Sequence, residues 1–152
     1  MRPSLVVADQ RRWTSVAINL TANATNISYA DVVWEVEYTD EFGSWYEALT
    51  EDDQDAIISR VTLLEQYGPG LGRPSVDNIH RSKHPNMKEL RAERAIRVLF
   101  AFDPLRTAIL LVAGNKRDGD SQRWNEWYDR YVPIADDLYD DHLAELRKEG
   151  SI

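Results

Sequence analysis

A chain of 152 residues is long enough for one domain with a sizeable core and too short for two ordinary ones. With 43% hydrophobic and 29% charged residues its composition is that of a globular chain, and no apolar run approaches the roughly 20 residues of a membrane-spanning helix. The absence of cysteine excludes disulfides, thiolate metal sites and thiol nucleophiles, and a net charge of −8 argues at first against a polyanionic ligand.

That average conceals an asymmetry. From Arg73 to Arg117 ten Lys or Arg stand against four acids, a balance of +6, whereas the rest of the chain carries eight bases and twenty-two acids, or −14. Such polarisation fits either a basic face on an acidic body or charges scattered over a solvated surface.

Residues 1–30 are expected to form a mobile N-terminal extension, with the folded domain over 31–150. Thr, Asn, Ser and Ala dominate from Thr14 to Ala30 without a sustained period, and the stretch after Arg11-Arg12 is too polar for a secretory signal. From Asp31 the pattern sharpens. Val32 to Tyr38 alternates, with Trp34, Val36 and Tyr38 on one face, and predicts a half-buried strand. Asp40 then caps a short helix through Phe42, Trp45, Tyr46 and Leu49, and Thr50 opens a second whose buried stripe is Ile57, Val61 and Leu64. Gly68 and Pro69 stop it, and the glycines and prolines of 68–86 predict a loop.

Three strands follow, at Asn86–Arg91, Ile96–Phe102 and Thr107–Ala113, the last apolar on both sides as in a central strand. Asp103-Pro104-Leu105-Arg106 is the turn between the last two. A helical region from Trp124, interrupted at Pro133, resumes to about Lys148. The order β-α-α-β-β-β-α predicts an α+β fold: a small, mostly antiparallel four-stranded sheet with two helices on one face, a C-terminal helix and an open second face.

Two-residue turns would set Arg97 opposite Leu90 and Val112, and Lys88 opposite Leu99, so that Lys88 and Arg97 emerge together on the open face. Lys116 and Arg117 leave the last strand nearby. Several cations would then converge with no carboxylate obliged to neutralise them, an arrangement suited to a polyanion. Arg offers phosphate a fork of donors and Lys a point charge or a proton-transfer group. His80 and His84 in the basic loop could act as acid or base near neutral pH. Tyr128 could stack on a base or donate a proton, although its helical spacing with Trp124 and Tyr131 suits core packing as well. The acids Asp136, Asp137, Asp140, Asp141 and Glu145 are most simply a solvated helix face. No metal-ligand pattern stands out beyond the Asp136-Asp137/Asp140-Asp141 spacing, and there is no glycine-rich phosphate loop or nucleophile elbow.

Specific strings add to this. Met87-Lys88-Glu89-Leu90-Arg91, Ile96 to Pro104 and Ala108 to Lys116 resemble the RelE/ParE superfamily of type II toxin–antitoxin toxins, in its HigB-like, phage-related branch. Gly72-Arg73-Pro74, His84-Pro85-Asn86 and Ile134 to Tyr139 add a likeness to actinobacterial members. The resemblance covers about Val32 to Glu149. It implies a RelE-like fold and a cytoplasmic endoribonuclease that inhibits translation by cleaving mRNA on the ribosome, without cofactor or metal. It also implies neutralisation by a helix-turn-helix antitoxin in a heterotetramer. By matching position, Arg91 resembles the family's phosphate-binding arginine, Arg97 its second strand arginine and Lys116, or its neighbour Arg117, the basic residue after the last strand. Tyr128 resembles an aromatic that some relatives place just beyond it. Lys88, Arg117, Arg81, Lys83 and His84 are further RNA-binding candidates. Relatives on the same fold instead inhibit gyrase without catalysis, and a toxin-derived binding module without activity is a third reading. The histidines that HigB enzymes carry near the last strand are absent here.

Overall fold

The computed structural model describes residues 12–13, 34–93, 95–115 and 124–152. Its elements are β1 (Val36–Tyr38), α1 (Asp40–Glu47), α2 (Glu51–Tyr67), β2 (Val76–Asn78), β3 (Met87–Ala92), β4 (Ile96–Phe102), β5 (Ala108–Asn115) and α3 (Trp124–Lys148). The α+β class and the helix–sheet order agree with the sequence. The strand count does not. The sheet has five strands in the order β1-β5-β4-β3-β2, with β1 parallel to β5 and every other pair antiparallel. The added strand, β2, lies in the stretch read as loop and pairs Val76 with Leu90 and Asn78 with Lys88. Three residues between Gly- and Pro-rich turns carry no periodicity of their own, so pairing with β3 makes this strand.

Helices α1 and α2 begin where side-chain oxygens cap free amides. Thr50 opens α2 as expected, its hydroxyl accepting from Asp53 N at 3.3 Å. The cap of α1 is Thr39 rather than Asp40: its hydroxyl accepts from Phe42 N at 3.1 Å, and Asp40 joins Glu41 in the first turn beside the positive helix end. Gly68, at φ 57, ends α2 where a Cβ would stand 2.3 Å from the Trp34 ring.

One sheet face packs Val36, Val98, Phe100 and Leu110 against Phe42, Ile57, Val61 and Leu64 of α1 and α2, as the alternation of β4 predicts. The second face is not open. Helix α3 covers much of it, setting Val132, Ala135 and Tyr139 on Leu99, Ala101, Ile109 and Leu111. Those sheet residues are buried to within a few per cent, and leaving them in water would forgo about 1.5–3 kcal/mol for each large side chain. That burial also explains why α3 runs unbroken for 25 residues through Pro133, whose ring is turned to solvent. Among the described residues no helix is long and apolar enough to cross a membrane.

Of the stretch 1–30, only Arg12 and Trp13 are among the described residues. The Arg12 backbone forms an isolated antiparallel β-bridge with Glu37 of β1, and Trp13 N donates to Val36 O at 2.8 Å. The Trp13 ring is 3% exposed, edge-on to Tyr46 at 5.5 Å. Val32 and Val33 lie outside the described residues. Trp13→Ala should lower the unfolding free energy by about 3–5 kcal/mol in urea titrations, because the cavity sits in the main core. An unchanged midpoint would remove Trp13 from that core.

Candidate active site

The site begins with a turn. Glu93, at φ 62, and Ala95 belong to a three-residue connection between β3 and β4, not the two-residue turn expected at Glu93-Arg94. The register therefore slips by one: Arg91 lies opposite Arg97, Glu89 opposite Leu99 and Lys88 opposite Phe100. On the far side a bulge leaves Leu111 as an extra residue, so Arg97 pairs with Gly114 and Leu99 with Val112. Strand alternation then places Glu89, Arg91 and Arg97 together on the face that α3 partly covers. Lys88 goes to the opposite face, where its Nζ donates to Asn78 Oδ1 at 3.1 Å near the β2 edge. The expectation that Lys88 and Arg97 share a face is corrected by the longer turn.

Nor do the cations stand without carboxylates. Glu89, only 3% exposed, accepts from Arg91 Nε at 3.0 Å and Arg91 Nη2 at 2.9 Å through one oxygen. Its other oxygen accepts from the Tyr128 hydroxyl at 2.5 Å and lies 4.0 Å from Arg97 Nε. Arg91 Nη2 also reaches Asp77 Oδ2 at 3.2 Å. Asp77 is shared with Arg73 at 3.0 Å, whose hydrogen bond holds the Asp77 carboxyl below its usual range. Arg97 directs Nη1 to the carbonyls of Ile96 (2.9 Å) and Glu93 (3.2 Å) at the hairpin tip. Two guanidinium groups and one phenol thus meet a buried carboxylate that the sequence did not single out. Its signal was available: residues two apart on a strand share a face.

Gly114 explains how Tyr128 reaches this carboxylate. A Cβ there would lie 2.5 Å from Trp127 Nε1, so only glycine lets the start of α3 settle onto β5. Burial, followed by the hydrogen bond and charge of Glu89, pushes the Tyr128 phenol well above its ordinary value. It stays protonated across the physiological range, donating its hydrogen to Glu89. Arg91 remains a third exposed along its side chain, whereas Arg97 is mostly enclosed. Both help to line an open cleft of about 590 Å³ beside the hairpin tip.

The basic loop is held to α3. Arg81 donates to Asp129 Oδ1 at 2.6 Å and to Asn125, Lys83 Nζ meets Asp140 at 2.5 Å, and His84 Nε2 meets the same carboxylate at 2.8 Å. Asp136, which accepts from Ser82 Oγ and Lys83 N, is buried. The acids expected to form a solvated face are therefore in part the loop's partners. His80 is exposed, and His142 pairs with buried Asp103 at 2.7 Å, at the turn between β4 and β5. Lys116 and Arg117 lie outside the described residues. So Arg91, Arg97 and Tyr128 come together, Arg81, Lys83 and His84 form a second group along α3, and Lys88 lies on the other sheet face. Among the described residues no cluster of potential metal ligands is present.

Residues 44–140 match the model of the phage-derived, Gp49-like protein family. A protein of Mycobacterium tuberculosis (strain ATCC 25618 / H37Rv) named as toxin HigB3 is 48% identical over 107 residues, covering 70% of this chain and 90% of that relative. Another from the same organism, named as toxin HigB2, is 39% identical over 119 residues, or 76% of this chain. The chain spans 57% of the length of that second relative.

The Tyr128–Glu89 bond carries a pH signature. A phenol whose value is raised on folding contributes stability that is complete below the unfolded value of 10.0 and is lost as the pH rises above it. Urea midpoints of the parent should therefore fall more steeply above pH 10 than those of Tyr128→Phe. Parallel profiles would mean that the hydroxyl is not held by Glu89.

Proposed function

As the chain belongs to the phage-derived, Gp49-like family and is HigB-like within it, we propose that it is the toxin of a toxin–antitoxin pair and acts as an endoribonuclease. In this reading it arrests translation by cutting mRNA on the ribosome in the cytoplasm, and a helix-turn-helix antitoxin neutralises it in a heterotetramer. The observation that carries the reading is the direct pairing of Arg91 with Arg97 across β3 and β4, on one face, with the protonated Tyr128 beside them.

Cleavage of RNA by its own 2′-hydroxyl requires no added nucleophile. The 2′-oxygen attacks phosphorus, the bond to the 5′-oxygen breaks, and the products are a 2′,3′-cyclic phosphate and a 5′-hydroxyl. One negative charge on the diester becomes two on the phosphorane. Guanidinium forks held in place before substrate arrives answer that change with no reorganisation at the moment of reaction. Arg91 and Arg97 take this role. The phenol of Tyr128 has a single proton, donated to Glu89, and serves an oxygen gaining charge by turning that hydrogen from the carboxylate to the substrate. Lys116 is the candidate for a third cation on the scissile phosphate, and the proton lost by the 2′-hydroxyl is balanced by the one gained at the 5′-oxygen. Arg81, Lys83, His84, Lys88 and Arg117 are candidates for holding the RNA strand.

Arg91→Ala should relieve growth arrest upon induction and reduce mRNA cleavage by about 100- to 1,000-fold, as expected for loss of one transition-state donor. Circular dichroism should confirm that the variant is folded. A variant as toxic as the parent would overturn the assignment. Accumulation of gyrase-cleaved DNA with intact mRNA would replace it with non-catalytic gyrase inhibition. Tight antitoxin binding by a harmless parent would make the chain a binding module.

A further inference from the structure

We propose that Arg60 of α2 binds a second phosphodiester of the RNA strand, next to the one held by Arg91 and Arg97. The inference rests on the endoribonuclease reading and adds a path for the substrate: from the sheet face, around the hairpin tip, onto α2.

The cleft beside the hairpin tip is lined on one side by Ala56, Ser59 and Arg60 and on the other by Arg91, Glu93 and Arg97. Positions 56, 59 and 60 fall on one face of α2, and the small side chains of Ala56 and Ser59 leave room beside the guanidinium. Its volume of about 590 Å³ is within the range that holds small ligands. Among the described residues three guanidinium-bearing side chains stand in its wall against the one carboxylate of Glu93.

Ser75 fixes the geometry. It is buried, its carbonyl accepts from Arg91 N at 2.8 Å, and its hydroxyl accepts from Arg60 Nη1 at 3.2 Å. One residue thus anchors the β3 backbone at Arg91 and orients the Arg60 head group. The two arginines differ in their company. Arg91 is neutralised in part by Glu89 and Asp77, whereas among the described residues no carboxylate pairs with Arg60. A guanidinium has five N–H donors, and a neutral hydroxyl occupies one of them here. The remaining fork suits the paired oxygens of a phosphodiester. Among the described residues no aromatic ring or side-chain amide lines this cleft, so it reads backbone charge and not base identity.

Binding of fluorescent 2′-O-methylated RNA, which lacks the nucleophile and cannot be cut, tests this with the full chain over a range of salt concentrations. Two probes are needed: an oligonucleotide long enough to pass both sites, and a dinucleotide with one phosphodiester. Arg60→Ala should weaken the oligonucleotide about tenfold, as for loss of a charge-assisted hydrogen bond. The slope of log affinity against log salt should drop by about 0.7, the value for one released counterion on a single strand. The dinucleotide should bind as before, and Arg60→Lys should keep the salt slope, which also guards against misfolding of the alanine variant. Unchanged oligonucleotide binding by Arg60→Ala overturns the inference, while loss in Arg91→Ala under the same conditions leaves the nuclease reading standing. Equal loss on the dinucleotide also overturns it, by moving Arg60 to the scissile phosphate. Lost antitoxin binding with intact RNA binding makes the cleft a protein-docking surface. Absence of RNA binding by the parent removes both readings.

Discussion

The buried carboxylate of Glu89 is costly unless it is surrounded by donors, and satisfying it organises the site. Arg91 comes from its own strand, Arg97 from the neighbouring strand and Tyr128 from a helix that joins the sheet thirty-odd residues later. Each element brings something the others lack. The hairpin register sets the two arginines side by side, and Gly114 admits the aromatic start of α3 to within reach of the carboxylate. The resulting groups are held by more than one contact each, which limits the entropy lost when an anion arrives. The same carboxylate reduces the local positive charge. An incoming phosphate therefore meets oriented donors in place of an undirected excess of cations.

Helix α3 explains how an acidic chain can carry such a site. Several of its carboxylates are engaged with the loop between β2 and β3: Asp129 with Arg81, Asp136 with Ser82 and the Lys83 amide, Asp140 with Lys83 and His84. The bond from Lys83, then that from His84, lowers the Asp140 carboxyl below its ordinary value. These contacts hold the loop against the helix while apolar residues of α3 cover the adjoining sheet. Opposing charges a few ångströms apart cancel at distances beyond the Debye length of about 8–10 Å. The cleft at the hairpin tip consequently depends on its own lining, where arginines predominate, and not on the charge of the whole chain.

Local rules made a large part of the fold legible. Alternation over Ile96–Phe102 gave β4 its limits and its apolar face, the Thr50 cap located the start of α2, and Gly68-Pro69 its end. Each of these signals is complete within a few residues. Arg97 was visible for the same reason, as a cation on a strand, whereas Arg91, beside the turn, was singled out by the family resemblance. Their partners were not. One additional residue in the turn after Ala92 exchanges the faces of β3 relative to β4, and nothing within β3 reports the length of that turn's pairing.

The amino-acid sequence by itself determined the α+β class, the Thr50 cap of α2, the two-sided apolar character of β5 and the concentration of basic residues between Arg73 and Arg117. Only the tertiary structure decided that β2 exists, that α3 closes the second face, that Glu89 joins the arginines and that Arg60 borders their cleft. The physical reason is range. Periodicity and capping act within one or two turns of chain, whereas pairing a three-residue strand, burying a carboxylate or juxtaposing α2 with β3 depends on contacts among distant segments.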